Sequence, residues 1–364
     1  MESDEPWLLS TELPEGNYDV VVRFRDATAA AAATIKADLR RLMLEVGSNG
    51  TESSDSRVRR FTVNVNNATI APRHGMAMRK VELLPMERQV QAHACDGCLT
   101  LEIHAERSAV HAVDILPVNV PTVFLLGDSS VADQFTEPYA SWGQMLPRFF
   151  KPGIAVANHS ESGEDQCASS SRRRIDKVVA SMKPGDLVLI QPGHSDHKRI
   201  TNEFCSSFAT SKCELHTHIE VVRGSGGVPV LVTPIERYVF DELSRVSNGC
   251  NGCVEAARRM SKELDLPLID LNAMCQQLFR FVGSMSSILP FGAEAGGETQ
   301  DSRYTSYEAY LLAGLVAHGL RKTRLPVVQH LVDDLEVDPL RPVQIDQFAV
   351  PNSPVTTTSR PAVK

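Results

Sequence analysis

The 364-residue sequence contains no apolar run approaching the roughly 18–20 residues that a membrane-spanning helix needs. It also lacks an excess of positive charge. Its 37 basic residues stand against 45 acidic ones, a net charge of −8, which disfavours nucleic acid or a membrane surface as partner. Aromatics are scarce, at 6% of residues, and the only tryptophans are Trp7 and Trp142. Sugar-stacking surfaces are built from exposed rings, so the N-terminal part is expected to be a packing module first. The opening residues, MESDEPWLLSTELPEG, are acidic and lack the basic and apolar regions of a signal peptide. No internal repeat is present. What remains is 42% hydrophobic and 23% charged, the balance of a soluble protein long enough for two domains.

Eight cysteines are present, and two pairs have CxxC spacing: Cys95 with Cys98 and Cys250 with Cys253. Two such pairs suit a four-cysteine zinc site, but the gap between them far exceeds the about 15–20 residues of a zinc ribbon. Local disulfides are the other reading, including Cys205 with Cys213 across a short loop. The even count suits an oxidising compartment. Sequons at Asn49, Asn67 and Asn158 are compatible with secretion.

Residues 1–117 read as β. Candidate strands are Tyr18–Phe24, Ala33–Leu39, Arg60–Asn66, Met76–Leu84, Cys98–His104 and Val110–Leu116. Phe61, Val63 and Val65 fall on one face and Thr62, Asn64 and Asn66 on the other. Short strands separated by turn residues predict an antiparallel sandwich. The alanine run Ala27–Ala33 reads equally as a short helix or a loop. From about residue 120, continuously apolar runs alternate with helical segments. The runs are Thr122–Leu126, Ile154–Asn158, Leu187–Gln191, Pro229–Thr233 and Pro267–Leu271. The helical segments are Trp142–Phe150, Arg173–Met182, Val254–Glu263 and Tyr307–Arg321. This alternation predicts βαβ units and a parallel sheet in a doubly wound three-layer arrangement. The stretch after Leu325 is proline-rich, and its polar end, Asn352–Lys364, is expected to be disordered.

The chemistry gathers after the predicted strands. Gly127-Asp128-Ser129-Ser130 follows the first, reading as strand, tight turn and helix start, the place where an α/β fold carries a nucleophile. The second is followed by Asn158-His159-Ser160-Glu161-Ser162-Gly163 and the third by Gln191-Pro192-Gly193-His194-Ser195-Asp196. Asp301-Ser302-Arg303-Tyr304 precedes the last helix. Several polar strand ends on one sheet edge point to a site. Other polar residues take plainer readings. Arg172, Arg173 and Arg174 read as a solvated helix start, or as a contact for an acidic pectic substrate. His197, His216 and His218 read as solvated loop residues, and Trp142 as packing under the site.

These residues carry a resemblance. GDSSVADQ, EPYASWGQMLPRFF, ANHSESGE, KPGDLVLIQPGHSDHK, TPIERYVF, PLIDLN and the frame from Asp301 to Val316 are similar to SGNH (GDSL-type) ester hydrolases of the rhamnogalacturonan acetylesterase group. LPEGNYDV and RFTVNV resemble the β-sandwich domain that precedes the catalytic domain in some members. The resemblance implies a galactose-binding-like sandwich over 1–117, a three-layer α/β/α SGNH hydrolase domain over 118–325 and a partly disordered tail over 326–364. It implies an acetylated polysaccharide or oligosaccharide as substrate, no cofactor or metal, and, with the cysteine count, a secreted location. Ser129 takes the nucleophile position, attacking an acetyl carbonyl to give an acyl-enzyme. Asp128 belongs to the same block. The backbone N–H groups of Ser129 and Gly163, with a side chain from the third block, would hold the oxyanion. In that block, beside His194, the family's asparagine is replaced by Ser195. In the last block Asp301 remains and Tyr304 stands in the histidine position.

A tyrosine of pKa about 10 is protonated at neutral pH and cannot take the serine proton as imidazole does. Losing a triad's base costs on the order of 10⁴–10⁶ in turnover, and losing one oxyanion donor about 10²–10³. Three functions therefore stand open at this stage: an acetyl esterase, a catalytically impaired pseudoenzyme that binds glycan, and a zinc-stabilised scaffold. Rescue by His159 or His194, which lie beside the site blocks, is the counter-reading, though in the family such histidines accompany the usual one.

Overall fold

The computed structural model describes residues 6–47, 55–72, 77–85, 87, 97–162, 170, 172–192, 206–235, 238–240, 246–248, 251–283, 304–335 and 337–354. The N-terminal part holds β1 (Trp7–Glu12), β2 (Gly16–Phe24), α1 (Ala27–Ala32), β3 (Thr34–Ala37), β4 (Arg41–Leu44), β5 (Val58–Val65), β6 (Thr69–Ile70), β7 (Arg79–Lys80), β8 (Cys98–His104) and β9 (Val110–Val118). Two antiparallel sheets form, in the orders β1-β8-β3-β4 and β5-β2-β9. Period two decides what they bury. Val20, Val22, Phe61 and Val63 of one sheet enclose a core with Ile35, Leu99, Leu101 and Ile103 of the other. The alanine run becomes a helix because Asp26 caps it, its carboxylate accepting from the Ala29 N–H at 2.8 Å. The strand expected over Met76–Leu84 is, among the described residues, confined to Arg79–Lys80, which pairs with Thr69–Ile70.

The second part carries β10 (Thr122–Leu126), β11 (Tyr139–Ala140), α2 (Trp142–Met145), β12 (Ala155–Asn158), α3 (Arg174–Ser181), β13 (Leu187–Ile190), α4 (Ser206–Gly224) and β14 (Val228–Val232). A hairpin of β15 (Tyr238–Phe240) and β16 (Val246–Asn248) follows, then α5 (Asn251–Glu263), β17 (Leu268–Ile269), α6 (Leu271–Gly283), β18 (Tyr304–Thr305) and α7 (Ser306–Arg321). Five of these strands make an all-parallel sheet in the order β12-β10-β13-β14-β17. Each of its three central strands is buried on both faces. Val123, Leu125, Leu187, Leu189, Val230 and Val232 pack toward α2, α6 and α7, while Phe124, Leu126, Val188, Ile190 and Leu231 pack toward α3, α4 and α5. The three-layer α/β/α architecture is as expected, with two helices, α4 and α6, that the sequence pattern did not announce.

The two parts share a seam. Leu42 of β4 is fully buried in the same core as Phe149, Tyr310 and Leu146. Arg148 bridges Glu45 of the sandwich and Asp334, and the Tyr310 hydroxyl donates to Glu45 at 2.7 Å. The segment set apart as a tail packs as well. Val327, Leu331, Val332 and Leu335 join the core, and Phe348 lies against the rings of Tyr307 and Tyr310. Lys36 of β3, only 2% exposed, donates to the carbonyl of Pro351 at 2.6 Å and to Ser353 at 2.8 Å. Of the stretch Asn352–Lys364 expected to be disordered, Ser353 is buried and hydrogen-bonded, and residues 355–364 lie outside the described residues.

Candidate active site

In chain order the parallel strands read 2-1-3-4-5, so the direction of winding reverses between β10 and β13. Ligands of doubly wound sheets bind beyond the strand ends at that point. Gly127 leaves β10 there. A side chain on it would bring a Cβ to 2.5 Å from Val131 Cγ2, so only glycine lets the turn close. The carbonyl of Asp128 accepts from the N–H groups of Val131 and Ala132 at 2.9 and 2.8 Å. Its carboxylate, 3% exposed, accepts from the N–H and the hydroxyl of Ser130 at 3.0 and 2.9 Å. Ser129 sits on the crest of this turn, half-buried. The expected helix start is not there. The turn opens into an irregular segment, and α2 begins only at Trp142, because Ser141 is the residue that caps it through a capping box with Gln144.

A run of buried hydrogen bonds fixes the turn from below. Trp142 Nε1 donates to Gln191 Oε1 at 3.0 Å, Gln191 Nε2 donates to Ser130 Oγ at 2.5 Å, and Ser130 reaches Asp128. Trp142 therefore packs under the site as expected, and it also orients Gln191. Gln134 ties the turn to the second block. Its Nε2 lies 3.0 Å from the carbonyl of Ser129 and 3.2 Å from Ser162 Oγ. The second block runs beside the turn, with His159 N–H on the Leu125 carbonyl at 3.0 Å and Glu161 N–H on that of Gly127 at 3.2 Å. Sequence patterns gave no sign of these roles for Gln134 and Gln191; a glutamine at a strand end is read as loop polarity until its partners are known.

Asn158 donates to the Val131 carbonyl at 2.7 Å and to Asp133 at 2.8 Å, so its amide is engaged within the fold. His159 is 6% exposed and stacks on Phe124 at 5.8 Å between centroids. Burial first, then the charges of Lys177, Arg174 and Arg41, push its pKa down to about 3. A base that weak draws little proton from a serine hydroxyl. That weighs against rescue by His159.

Arg174 is not solvated. It is 4% exposed and pairs with Glu87 at 2.6 Å, with Glu161 at 3.7 Å. Burial, together with a hydrogen bond to Glu87 and that group's charge, pushes the Glu161 carboxyl up to about 9. Burial raises Glu87 too, but the hydrogen bond from Glu161 and the Arg174 guanidinium hold it below its ordinary value. These groups line a small pocket of about 30 Å³ at the seam with the sandwich, beside Leu39, Asn67 and His159. His216 and His218 lie in α4 rather than a loop. His218 is buried against Ser170 at 2.9 Å, and burial lowers its pKa to about 4.

Tyr304 lies in β18, which pairs antiparallel with β11, Tyr304 opposite Ala140 and Thr305 opposite Tyr139. The segment leaving the Ser129 turn thus pairs with the strand that carries Tyr304. Its ring packs partly against the main core. Thr305 caps α7, with Glu308 Oε2 accepting from its N–H at 2.7 Å. Gly163, His194, Ser195 and Asp301 lie outside the described residues, as do Cys95, Cys205 and Cys250. Cys98 lies in β8 of the sandwich and Cys253 in α5 of the parallel-sheet part. Among the described residues no group of three or more histidine, cysteine or acidic side chains is arranged to hold a metal ion. Among them, too, no helix is long and apolar enough to cross a membrane.

A five-stranded parallel sheet in this order, covered on both faces and bearing a Gly-Asp-Ser turn at its switch point, defines the SGNH class of hydrolase folds. No family model matches the sequence. Rhamnogalacturonan acetylesterase RhgT of Bacillus subtilis (strain 168) is 31% identical over 220 residues, which span 58% of this chain and 94% of that protein. Probable rhamnogalacturonan acetylesterase YesY of the same organism is 24% identical over 216 residues, 58% of this chain and 98% of that protein. The crystal structure of the Bacillus subtilis protein YxiM shares the fold, with a TM-score of 0.50 at 21% identity, covering 86% of this chain and 79% of that one. The chain belongs to the rhamnogalacturonan acetylesterase group of the SGNH (GDSL-type) hydrolases.

Proposed function

We propose that this chain is a carbohydrate O-acetyl ester hydrolase acting by serine acyl transfer on acetylated rhamnogalacturonan or a related pectic glycan, at a rate far below that of a complete triad. The observation that carries the reading is the buried run from Trp142 through Gln191 and Ser130 to Asp128, which holds the Ser129 turn rigid at the switch point. Such preorganisation is what a nucleophile and an oxyanion site require. On the family's pattern, Ser129 Oγ attacks the acetyl carbonyl, backbone N–H groups of the first and second sequence blocks receive the oxyanion, and the ester C–O bond breaks as the serine proton passes to the departing sugar oxygen. Water then releases acetate from the acyl-serine. Asp301 and Tyr304 occupy the positions from which an aspartate–histidine pair would move the proton, and the phenol serves poorly there.

A second reading, glycan binding without turnover, draws on that same tyrosine and on the neutral, weakly basic His159. Ester hydrolysis decides between the two, measured on p-nitrophenyl acetate and acetylated pectin with the wild type, Ser129→Ala and Tyr304→His. Wild-type turnover abolished by Ser129→Ala upholds the hydrolase. Turnover that emerges only in Tyr304→His, alone or with Ser195→Asn, upholds the binding protein.

A further inference from the structure

The turn between β3 and β4 departs from ordinary backbone geometry. Asp38 and Arg40 both have positive φ, 50° and 61°, although neither is glycine. Each such residue costs on the order of 1 kcal/mol and persists only where its surroundings hold it. Asp38 is held from both sides. Its N–H donates to the Thr100 carbonyl at 2.7 Å, its carboxylate accepts from the Thr100 N–H at 2.9 Å, and it pairs with Arg41. The result is that Leu39 and Arg40 leave the sandwich and enter the segment between the Ser129 turn and α2.

Arg40, 4% exposed, spans that segment. Its guanidinium donates to the carbonyl of Gln134 at 3.2 Å and to that of Tyr139 at 3.1 Å, and pairs with Glu137 at 2.9 Å. The carbonyl of Leu39 accepts from the Gln144 amide. Each of these contacts leads to one side of the site. Gln134 carries the bonds to Ser129 and Ser162. Tyr139 is the strand partner of Thr305, next to Tyr304. Glu137 also accepts from the Ser306 hydroxyl at 3.2 Å and from the Ser353 N–H at 2.9 Å. One planar, five-donor group therefore joins the Ser129 turn, the strand of Tyr304 and the C-terminal segment.

We propose that Arg40 is a positioning residue: the sandwich uses its β3–β4 turn to set the spacing between Ser129 and Tyr304, which makes the N-terminal sandwich part of the working site. This rests on the hydrolase reading only in taking those two residues to face one substrate. The test uses the full chain carrying Arg40→Ala or Arg40→Lys, each in the wild-type and the Tyr304→His backgrounds. Displacement of a reacting group by about 1 Å costs on the order of 100-fold. Arg40→Ala is expected to lower kcat by about that factor with KM little changed, and Arg40→Lys, which restores the charge but not the fork, to recover part of it. Amide exchange by mass spectrometry is expected to rise in peptides covering 129–141 and 304–308 and to stay unchanged in β2, β5, β13 and β14. An unchanged kcat, or faster exchange confined to the sandwich, overturns the proposal. If neither background turns over ester, the hydrolase reading fails and exchange alone decides: local loosening at 129–141 and 304–308 upholds the positioning role, and its absence overturns it.

Discussion

Glu161→Gln should stabilise this protein, by an amount that grows with pH. In the folded chain the carboxyl is buried beside Glu87 and stays protonated to about pH 9. An unfolded glutamate ionises near its ordinary value of 4.5. Between those limits folding takes up one proton, so this group makes stability fall as pH rises, by about 1.4 kcal/mol per pH unit. From 4.5 to 7 that amounts to about 3 kcal/mol, and at pH 8 to about 5 kcal/mol. Glutamine is neutral in both states, keeps the shape and retains an N–H to donate to Glu87. Urea unfolding of both proteins from pH 5 to 9 reads the difference. The two should nearly coincide at pH 5, the variant should lead by a few kcal/mol at pH 8, and the wild-type curve should slope downward relative to the variant. A constant gap across the range, or a variant weaker at pH 8, refutes a protonated Glu161.

Two further substitutions probe the support of the Ser129 turn. Gly143→Ala puts a Cβ 2.2 Å from the Val131 carbonyl oxygen and 2.9 Å from Asn158 Nδ2, and a backbone oxygen cannot rotate away. We expect a loss of at least about 3 kcal/mol in urea unfolding, the upper range for overpacking. Trp142→Phe keeps a ring in the core but leaves Gln191 Oε1 without its donor. That should cost about 1–3 kcal/mol and raise amide exchange at 128–131.

The parallel sheet was legible because strands such as Thr122–Leu126 are buried at every position and run unbroken apolar from Val123 on, as burial on both faces demands. The Ser129 turn was legible through the glycine that its close approach to Val131 requires. What escaped depends on partners far along the chain. Arg174 reads as solvated until Glu87, 87 positions away, is brought beside it. β4 begins with Arg41, whose guanidinium pairs with Asp38 and donates to the Asn64 carbonyl, so a charged residue opens a fully buried strand. α4 carries few apolar residues on its described face, chiefly Leu215, Ile219 and Val222, and its threonines and histidines look like loop. The bracing by Arg40 joins residues 94 and 99 positions apart, a distance no local pattern encodes.

The lysine of β3 sets an order of events for a newborn chain. Lys36 is made early, yet its closest partners, Pro351 and Ser353, lie 315 and 317 positions later. Synthesis at roughly 5–20 residues per second leaves tens of seconds in which the sandwich exists and this ammonium is unsealed. The sandwich can close around its own core in that time, but the surroundings of Lys36 are completed only once residues 351 and 353 have been made. Nicking or shortening the chain near residue 350 should therefore loosen its beginning.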